Sequence, residues 1–297
     1  AMYQVKSEGR NDVRFFAGGL SNERAEQLQL AAELPSAMQR GEVELYYQPV
    51  MNIGERCVVG YEGLLRWRHP TLGLLLPDRF LPAAEQSNLI REIGLWAIRR
   101  ALDDRVRLGI DAHPDVAVSV NVSARQLTEE GFVATLSELM DEREFPPRLL
   151  RLELTESAFI ENPERTATLI AELRRLGVRI IIDNFGTGYA SLSYLKNLPV
   201  DGIKIDRAFV QDLPADRGNA AIVQAITTMA AKLGLQAMAE GVETAAELRG
   251  LRSLDCDQVQ GTLISEPLPF AQLREFLDAL PTLRQMHLVR DSRPSVA

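Results

Sequence analysis

Short apolar runs, many of them β-branched, recur along the chain at residues 45–50, 57–65, 116–122, 149–154, 178–182, 200–205, 235–239 and 259–264. They are too short for helices and are expected to be strands. Between them, apolar residues fall at helical spacing. Ile222, Val223, Ile226, Met229, Ala230 and Leu233 mark one such face. Leu169, Ile170, Leu173 and Leu176 mark another, with Pro163 where a helix could start and Gly177 as its stop. Strand and helix alternate, which predicts a mainly parallel sheet with helical crossovers. The first two runs are separated only by residues 51–56, too few for a helical crossover, so that pair should be antiparallel. No Gly-x-Gly-x-x-Gly or Walker-type loop follows a strand, so an open nucleotide-binding sheet is disfavoured. The expected fold is α/β, a TIM-like (β/α)8 barrel with an irregular antiparallel first strand.

The length of 297 residues suits one barrel-sized domain with short additions. With 46% hydrophobic and 25% charged residues, the composition is neither disordered nor collagen-like. Lys and Arg number 33 against 41 Asp and Glu, a net charge of −8, which argues against non-specific nucleic-acid binding. No apolar run approaches the ~20 residues needed to span a bilayer, and no basic start followed by an apolar stretch marks a signal peptide. The expectation is a cytoplasmic domain without membrane contact. Cys57 and Cys256 are too few for a disulfide framework and are expected to be reduced core thiols. Residues 21–40 are helix-prone and are expected to form a linker helix. Residues 41–285 are expected to form the barrel, and 286–297 a flexible tail.

In such barrels the active site forms at the C-terminal ends of the strands. Glu62 lies within the second run, Asn121 and Glu153 end the third and fourth neighbourhoods, and Asp183 ends the fifth. Lys204 and Asp206 close the sixth, Glu240 follows the seventh and Gln260 lies in the eighth. A single acidic residue at a strand end is often merely solvated, but several strands delivering carboxylates and carboxamides to one rim are not explained that way. Like charges so close cannot all ionise without something positive between them. An all-oxygen cluster suits Mg²⁺ or Mn²⁺ rather than zinc. His69 and His113 precede prolines and His287 lies near the end, none at ligand spacing. Metal-assisted hydrolysis of a phosphate compound is the default chemistry.

The motifs around these residues resemble the EAL domain, the cyclic di-GMP phosphodiesterase family of bacterial signalling and biofilm control. They are Tyr-Tyr-Gln-Pro-Val (46–50), Glu-Gly-Leu-Leu-Arg-Trp (62–67), Asn-Val-Ser (121–123) and Glu-Leu-Thr-Glu (153–156). Asp-Asn-Phe-Gly-Thr-Gly-Tyr (183–189), Lys-Ile-Asp (204–206), Ala-Glu-Gly-Val-Glu (239–243) and Gln-Gly (260–261) follow in order. A weaker match over residues 1–20, including Gly-Arg-Asn (9–11) and Phe-Phe (15–16), resembles the C-terminal end of a GGDEF domain. The chain is therefore expected to be a piece of a longer GGDEF–EAL protein whose parent carries a sensory or membrane part. The resemblance implies hydrolysis of cyclic di-GMP to linear pGpG with two Mg²⁺ or Mn²⁺ ions per site, and a homodimer. It implies Glu62, Asn121, Glu153, Asp183, Asn184 and Glu240 as metal ligands, with Asp183 bridging. Lys204 would orient the attacking water, and Glu240 is a candidate base. Arg66 has a fork suited to phosphate. Gln48 and Gln260 would meet guanine edges, and Asp206 belongs to the same substrate-binding set. Glu156 would anchor the loop that begins at Gly186 and leads into a helix-prone stretch, 191–197. Glu243 would support the site without binding metal. Lys204 also has a plainer reading, as a buried ion-pair partner of Asp206.

Two positions depart from the family pattern. The signature tripeptide is Glu62-Gly63-Leu64 where Glu-Ala-Leu is usual, a loss of one methyl worth ~1 kcal/mol that leaves Glu62 in place. Asn184 stands where Asp is usual, which removes a negative charge from the second metal position and is expected to lower turnover and favour Mn²⁺. Two functions stay open: an active phosphodiesterase, or a weak or inactive receptor that binds cyclic di-GMP. Glu62, Asn121, Glu153, Asp183, Lys204 and Glu240 are all present, which favours the enzyme. A pure interaction scaffold leaves the acidic rim unexplained.

Overall fold

The computed structural model describes residues 19–85, 89–161, 163–187 and 198–279. Of the expected GGDEF-like remnant, residues 1–18 lie outside the described residues, as do the tail 286–297 and the stretch 191–197. The chain forms two compact units, residues 1–44 with 66–90, and residues 45–65 with 91–297.

The larger unit contains the barrel except for the first two residues of its first strand and the last four of its second. Its strands are β1 (Val43–Asn52), β2 (Cys57–His69), β4 (Ala117–Asn121), β5 (Leu150–Thr155), β6 (Arg179–Phe185), β7 (Gly202–Ile205), β8 (Gln236–Ala239) and β9 (Gln258–Gln260). Neighbours follow the order β1-β9-β8-β7-β6-β5-β4-β2, and β2 pairs back onto β1 to close the ring. All ladders from β2 through β9 are parallel, whereas β1 runs antiparallel to β9. This is the barrel with an irregular first strand that the spacing predicts. Strand residues of one parity, among them Val118, Val120, Leu150, Leu152, Ile180, Ile182, Ile203 and Ile205, are buried in one continuous apolar core. The other parity carries Arg151, Glu153, Lys204, Gln258 and Gln260, all buried. These central strands are covered on both faces, which explains their nearly unbroken apolar runs. A short antiparallel strand, β10 (Leu268–Pro269), adds to β1.

The covering helices begin and end where side chains and glycines satisfy their free backbone groups. They include α3 (Leu89–Leu108), α4 (Ala124–Leu127), α5 (Phe132–Asp141), α6 (Ala158–Glu161), α7 (Pro163–Leu176), α8 (Arg207–Val210), α9 (Arg217–Leu233) and α10 (Ala245–Ser253). Helix α7 starts on Pro163 and is stopped by Gly177, whose φ of 94° few other residues tolerate. The Asp216 carboxylate caps α9, accepting from Gly218 N at 2.7 Å and Asn219 N at 3.1 Å. A capping box of Thr244 and Glu247 starts α10.

Three expectations need correction. The buried stripe of α9 is Val223, Ile226, Thr227 and Ala230, while Ile222 and Leu233 are exposed. A reading restricted to apolar residues passes over Thr227 and so rotates the stripe. The last run, 259–264, is a strand only to Gln260: beyond it the chain turns, with Ile264 N and Ser265 N both donating to the Gly261 carbonyl, and Gly261 passes so close to the Val242 backbone that a Cβ has no room. Cys256 is a buried thiol, but Cys57 is half-exposed at the start of β2 and is not a core residue.

Gly63 shows that the departure in the signature tripeptide is sterically optional. A Cβ there would meet Ser119 O and Tyr47 Cε1 at 3.5 Å and Leu45 Cδ1 at 3.6 Å, ordinary contact distances. Gly63→Ala should therefore stabilise the domain by about 0.5–1 kcal/mol through lost unfolded-state freedom, read as a higher urea midpoint. A lower midpoint would show that this strand needs the glycine.

The smaller unit holds α1 (Gly19–Gln39), the end of β2, β3 (Gly73–Leu75) and α2 (Pro77–Glu85). Its centre is the fully buried Trp67, edge-on to Phe80 with ring centroids 5.7 Å apart and to His69 at 5.1 Å. Trp67 Nε1 donates to Glu42 at 3.1 Å, so the buried indole N–H is satisfied.

Candidate active site

Parallel register carries polar side chains to one end of the barrel. Asn121 lies opposite Glu153, Thr155 opposite Asp183, and Ile205 opposite Ala239, after which Glu240 N donates to the Ile205 carbonyl. On the antiparallel side, Val50 of β1 lies opposite Gln260. Between β6 and β7 the pairing shifts: Ile182 meets Ile203, but Phe185 meets Ile205, so three steps on one strand match two on the other. This bulge falls on Asp183 and Asn184, and Asn184 takes a left-handed φ of 54°. Asparagine tolerates that backbone better than most residues. Bulges of this kind re-aim side chains beside functional sites.

Lys204 is the hub of the rim, with a side chain 1% exposed. Its Nζ donates to Glu62 Oε2 at 2.7 Å and Glu153 Oε2 at 2.9 Å, and lies 3.3 Å from Glu240 and 3.7 Å from Asp183. Glu62 also accepts from Asn121 Nδ2 at 2.6 Å and from Gln260 Nε2 at 2.7 Å. Gln260 donates further to Gln48 Oε1 at 3.0 Å, and Gln48 donates to the Ser265 carbonyl at 3.0 Å. The rim is thus one connected polar network.

Its charges are strongly perturbed. Burial raises Glu153 to about 7, with Glu62 adding to the rise and Lys204 opposing it. Burial likewise raises Asp183 and Glu240 against the pull of Lys204. For Glu62, burial is outweighed by Lys204 together with the donors Gln260 and Asn121, and its carboxyl stays below the usual range. Burial opposes the charge of Lys204, but Glu153, Glu62, Asp183 and Glu240 together hold it well above the usual lysine value. One cation therefore holds four carboxylates together.

The structure brings Gln48, Glu62, Asn121, Glu153, Asp183, Lys204, Glu240 and Gln260 into this rim. Glu156 stands one step outside: its N–H donates to the Asp183 carbonyl at 3.2 Å, and its carboxylate accepts from Gly186 N at 3.2 Å. It therefore ties the loop after β5 to the loop after β6. Asn184 is half-buried, and its carbonyl accepts from Thr187 Oγ1 at 2.8 Å. Asp206 caps α8, accepting from Ala208 N at 2.7 Å, and Lys204 takes the four carboxylates as partners instead. Glu243 is exposed and pairs with Arg207 at 2.6 Å, away from the network. Arg66 belongs to the smaller unit. The Ser265 carbonyl that fixes Gln48 was not legible in sequence, because a backbone acceptor leaves no side-chain signal.

Among the described residues, no three acidic, histidine or cysteine side chains stand at a spacing that holds a metal ion as they are placed. The Lys204 ammonium lies between the carboxylates. The donor chemistry nevertheless fits a hard divalent cation: the rim offers oxygen ligands, and Glu153 Oε1 and Asp183 Oδ1 are buried without a hydrogen-bond partner among the described residues.

The sequence profile of the EAL domain matches residues 31–267. The chain belongs to the EAL domain family. Cyclic di-GMP phosphodiesterase NbdA of Pseudomonas aeruginosa is 42% identical over 292 residues, covering 97% of this chain and 37% of NbdA. The bifunctional diguanylate cyclase/cyclic di-GMP phosphodiesterase MucR of the same organism is 41% identical over 274 residues, 92% of this chain and 40% of MucR. The solved c-di-GMP complex of the PaMucR phosphodiesterase superposes with a TM-score of 0.79 at 41% identity, covering 82% of this chain and 99% of that one. This EAL domain chain spans about two-fifths of the length of the curated relatives it matches. Among the described residues no helix is long and apolar enough to cross a membrane.

Proposed function

We propose that this EAL domain hydrolyses one phosphodiester bond of cyclic di-GMP to give linear pGpG. The observation that carries the reading is the buried Lys204 held by Glu62, Glu153, Asp183 and Glu240 at the C-terminal ends of the barrel strands. NbdA and MucR, both named as cyclic di-GMP phosphodiesterases, support the substrate. Glu62, Asn121, Glu153, Asp183, Asn184 and Glu240 would hold two Mg²⁺ or Mn²⁺ ions. Such ions, when bound, lower the pKa of a water and neutralise charge on the attacking and leaving oxygens.

The chain's own groups then have separate tasks. The water oxygen adds to phosphorus, the P–O3′ bond breaks, and the departing 3′ oxygen takes up a proton. Lys204 Nζ orients the water and offsets the negative charge that grows on the phosphoryl oxygens. Glu240, the most accessible of the four carboxylates around Lys204, is the candidate acceptor of the water's proton. Gln48 and Gln260 already bond to each other, and their amides can turn to a guanine edge. Arg66 is the candidate phosphate fork. Glu156 holds the loop after Asp183 and so acts through position rather than contact. The same reading has this domain cytoplasmic and dimeric, with a GGDEF-type domain upstream in the parent chain, in keeping with the bifunctional name of MucR.

Chromatographic analysis of cyclic di-GMP incubated with the domain and Mg²⁺ or Mn²⁺ tests the reaction. The expected product is pGpG, with one bond cut. Recovery of intact dinucleotide and no detectable binding would overturn the reading.

The receptor alternative rests on Asn184. Its amide keeps one acceptor oxygen but lacks the charge of an aspartate, so the second ion should be held more weakly.

A further inference from the structure

The opposite mouth of the barrel, where the parallel strands begin, holds a second polar cluster that the reaction does not use. A cavity of about 250 Å³ opens there, lined among others by Arg148, Arg151, Arg179 and Gln258. Arg151 is 3% exposed. Its Nη1 donates to Gln258 Oε1 at 3.2 Å, while its Nε is buried without a hydrogen-bond partner among the described residues. Gly60 leaves room for this guanidinium, since a Cβ there would stand 3.4 Å from Arg151 Nη1 and 2.9 Å from the Ala117 carbonyl oxygen.

Among the described residues Arg151 forms no ion pair, and its one hydrogen-bond partner, Gln258, is neutral. Arg179 lies directly opposite it in the β5–β6 ladder, a like-charge pairing that works against the sheet. Arg148 comes three residues earlier, in the turn Pro147–Leu149 that leads into β5. Among the described residues, the side chains of Arg148 and Arg179 have neither hydrogen-bond nor ion-pair partners. Glu55 and Asp115 also line the cavity, yet neither forms an ion pair with the three arginines. A buried cation with an unused donor and two further cations at its mouth is stabilised by an anion that meets all three.

We propose that this N-terminal mouth is a binding site for a phosphate-type oxyanion, with Arg151 Nε as the buried donor and Arg148 and Arg179 as the outer clamp. Inorganic phosphate and the phosphoryl end of a phosphomonoester share this chemistry. The site is separate from the catalytic rim and stands whether or not the domain cleaves cyclic di-GMP.

Equilibrium dialysis of labelled inorganic phosphate against the metal-free domain tests it, with phenyl phosphate as the second probe. Saturable binding of one phosphate per chain is expected. Arg148→Ala combined with Arg179→Ala should weaken it at least tenfold, and the Arg148→Lys, Arg179→Lys pair, which keeps the charge, should retain most of it. Arg66→Ala, on the smaller unit, should leave it unchanged. Phenyl phosphate binding as well as or better than phosphate assigns the site to phosphomonoesters; phosphate alone binding assigns it to the free ion. No saturable binding would mean that water alone satisfies Arg151 and would overturn the proposal. So would binding that survives the alanine pair or disappears with Arg66→Ala.

Discussion

Lys204→Met is expected to destabilise the metal-free domain by about 3–5 kcal/mol, the usual loss when one partner of a buried ion pair is removed. Methionine nearly matches the volume of lysine, so packing is preserved and charge is what changes. Glu62 and Glu153 would lose the donor that now reaches them at 2.7 and 2.9 Å, and Asp183 and Glu240 would lose their nearest cation. Urea unfolding reads the effect directly. Adding Mn²⁺ should recover part of the loss, because a divalent ion supplies positive charge to the same oxygens and binds the native state alone. A variant as stable as the parent, with or without Mn²⁺, would show that the carboxylates are not held together by this lysine. Turnover of cyclic di-GMP should fall by ~10²-fold or more, in line with removal of a group that meets developing charge.

Glu62→Ala should abolish measurable hydrolysis, a loss of ~10³-fold or more. Glu62 accepts hydrogen bonds from Asn121, Lys204 and Gln260 at once, so its removal frees all three donors. The effect should appear in turnover and, by calorimetry, in weaker Mn²⁺ binding. Lys204 keeps Glu153 and Glu240, which limits the damage to folding. A Glu62→Ala domain that still cleaves at a rate near the parent's would remove this residue from the chemistry.

Much of the barrel was legible because its central strands are buried on both faces and therefore uniformly apolar. Polar residues stand out against that background at the strand ends: Glu153 after Leu150-Arg151-Leu152, Asp183 after three isoleucines, and Lys204 between Ile203 and Ile205. The geometry of the rim was less legible. The bulge at Asp183 and Asn184 depends on pairing with a strand some twenty residues away, and no local pattern announces it. Asp206 and Glu243 lie in rim motifs, yet one caps a helix and the other pairs with Arg207 at the surface. Motif membership does not fix which way a side chain points. Arg151 shares the run 149–154 with Glu153 and was not legible as a site residue, because its meaning required the cavity beyond it.

Turnover of cyclic di-GMP by the unaltered domain, compared with Asn184→Asp in Mg²⁺ and then Mn²⁺, tests the central claim most directly. The parent should form pGpG, faster with Mn²⁺ than with Mg²⁺, and Asn184→Asp should raise the rate by about tenfold as the added carboxylate strengthens the second ion's hold. Tight binding of cyclic di-GMP by the parent with no product in either metal would contradict the enzyme. Rescue of cleavage by Asn184→Asp would then assign the domain to the receptors, held from turnover by one missing charge.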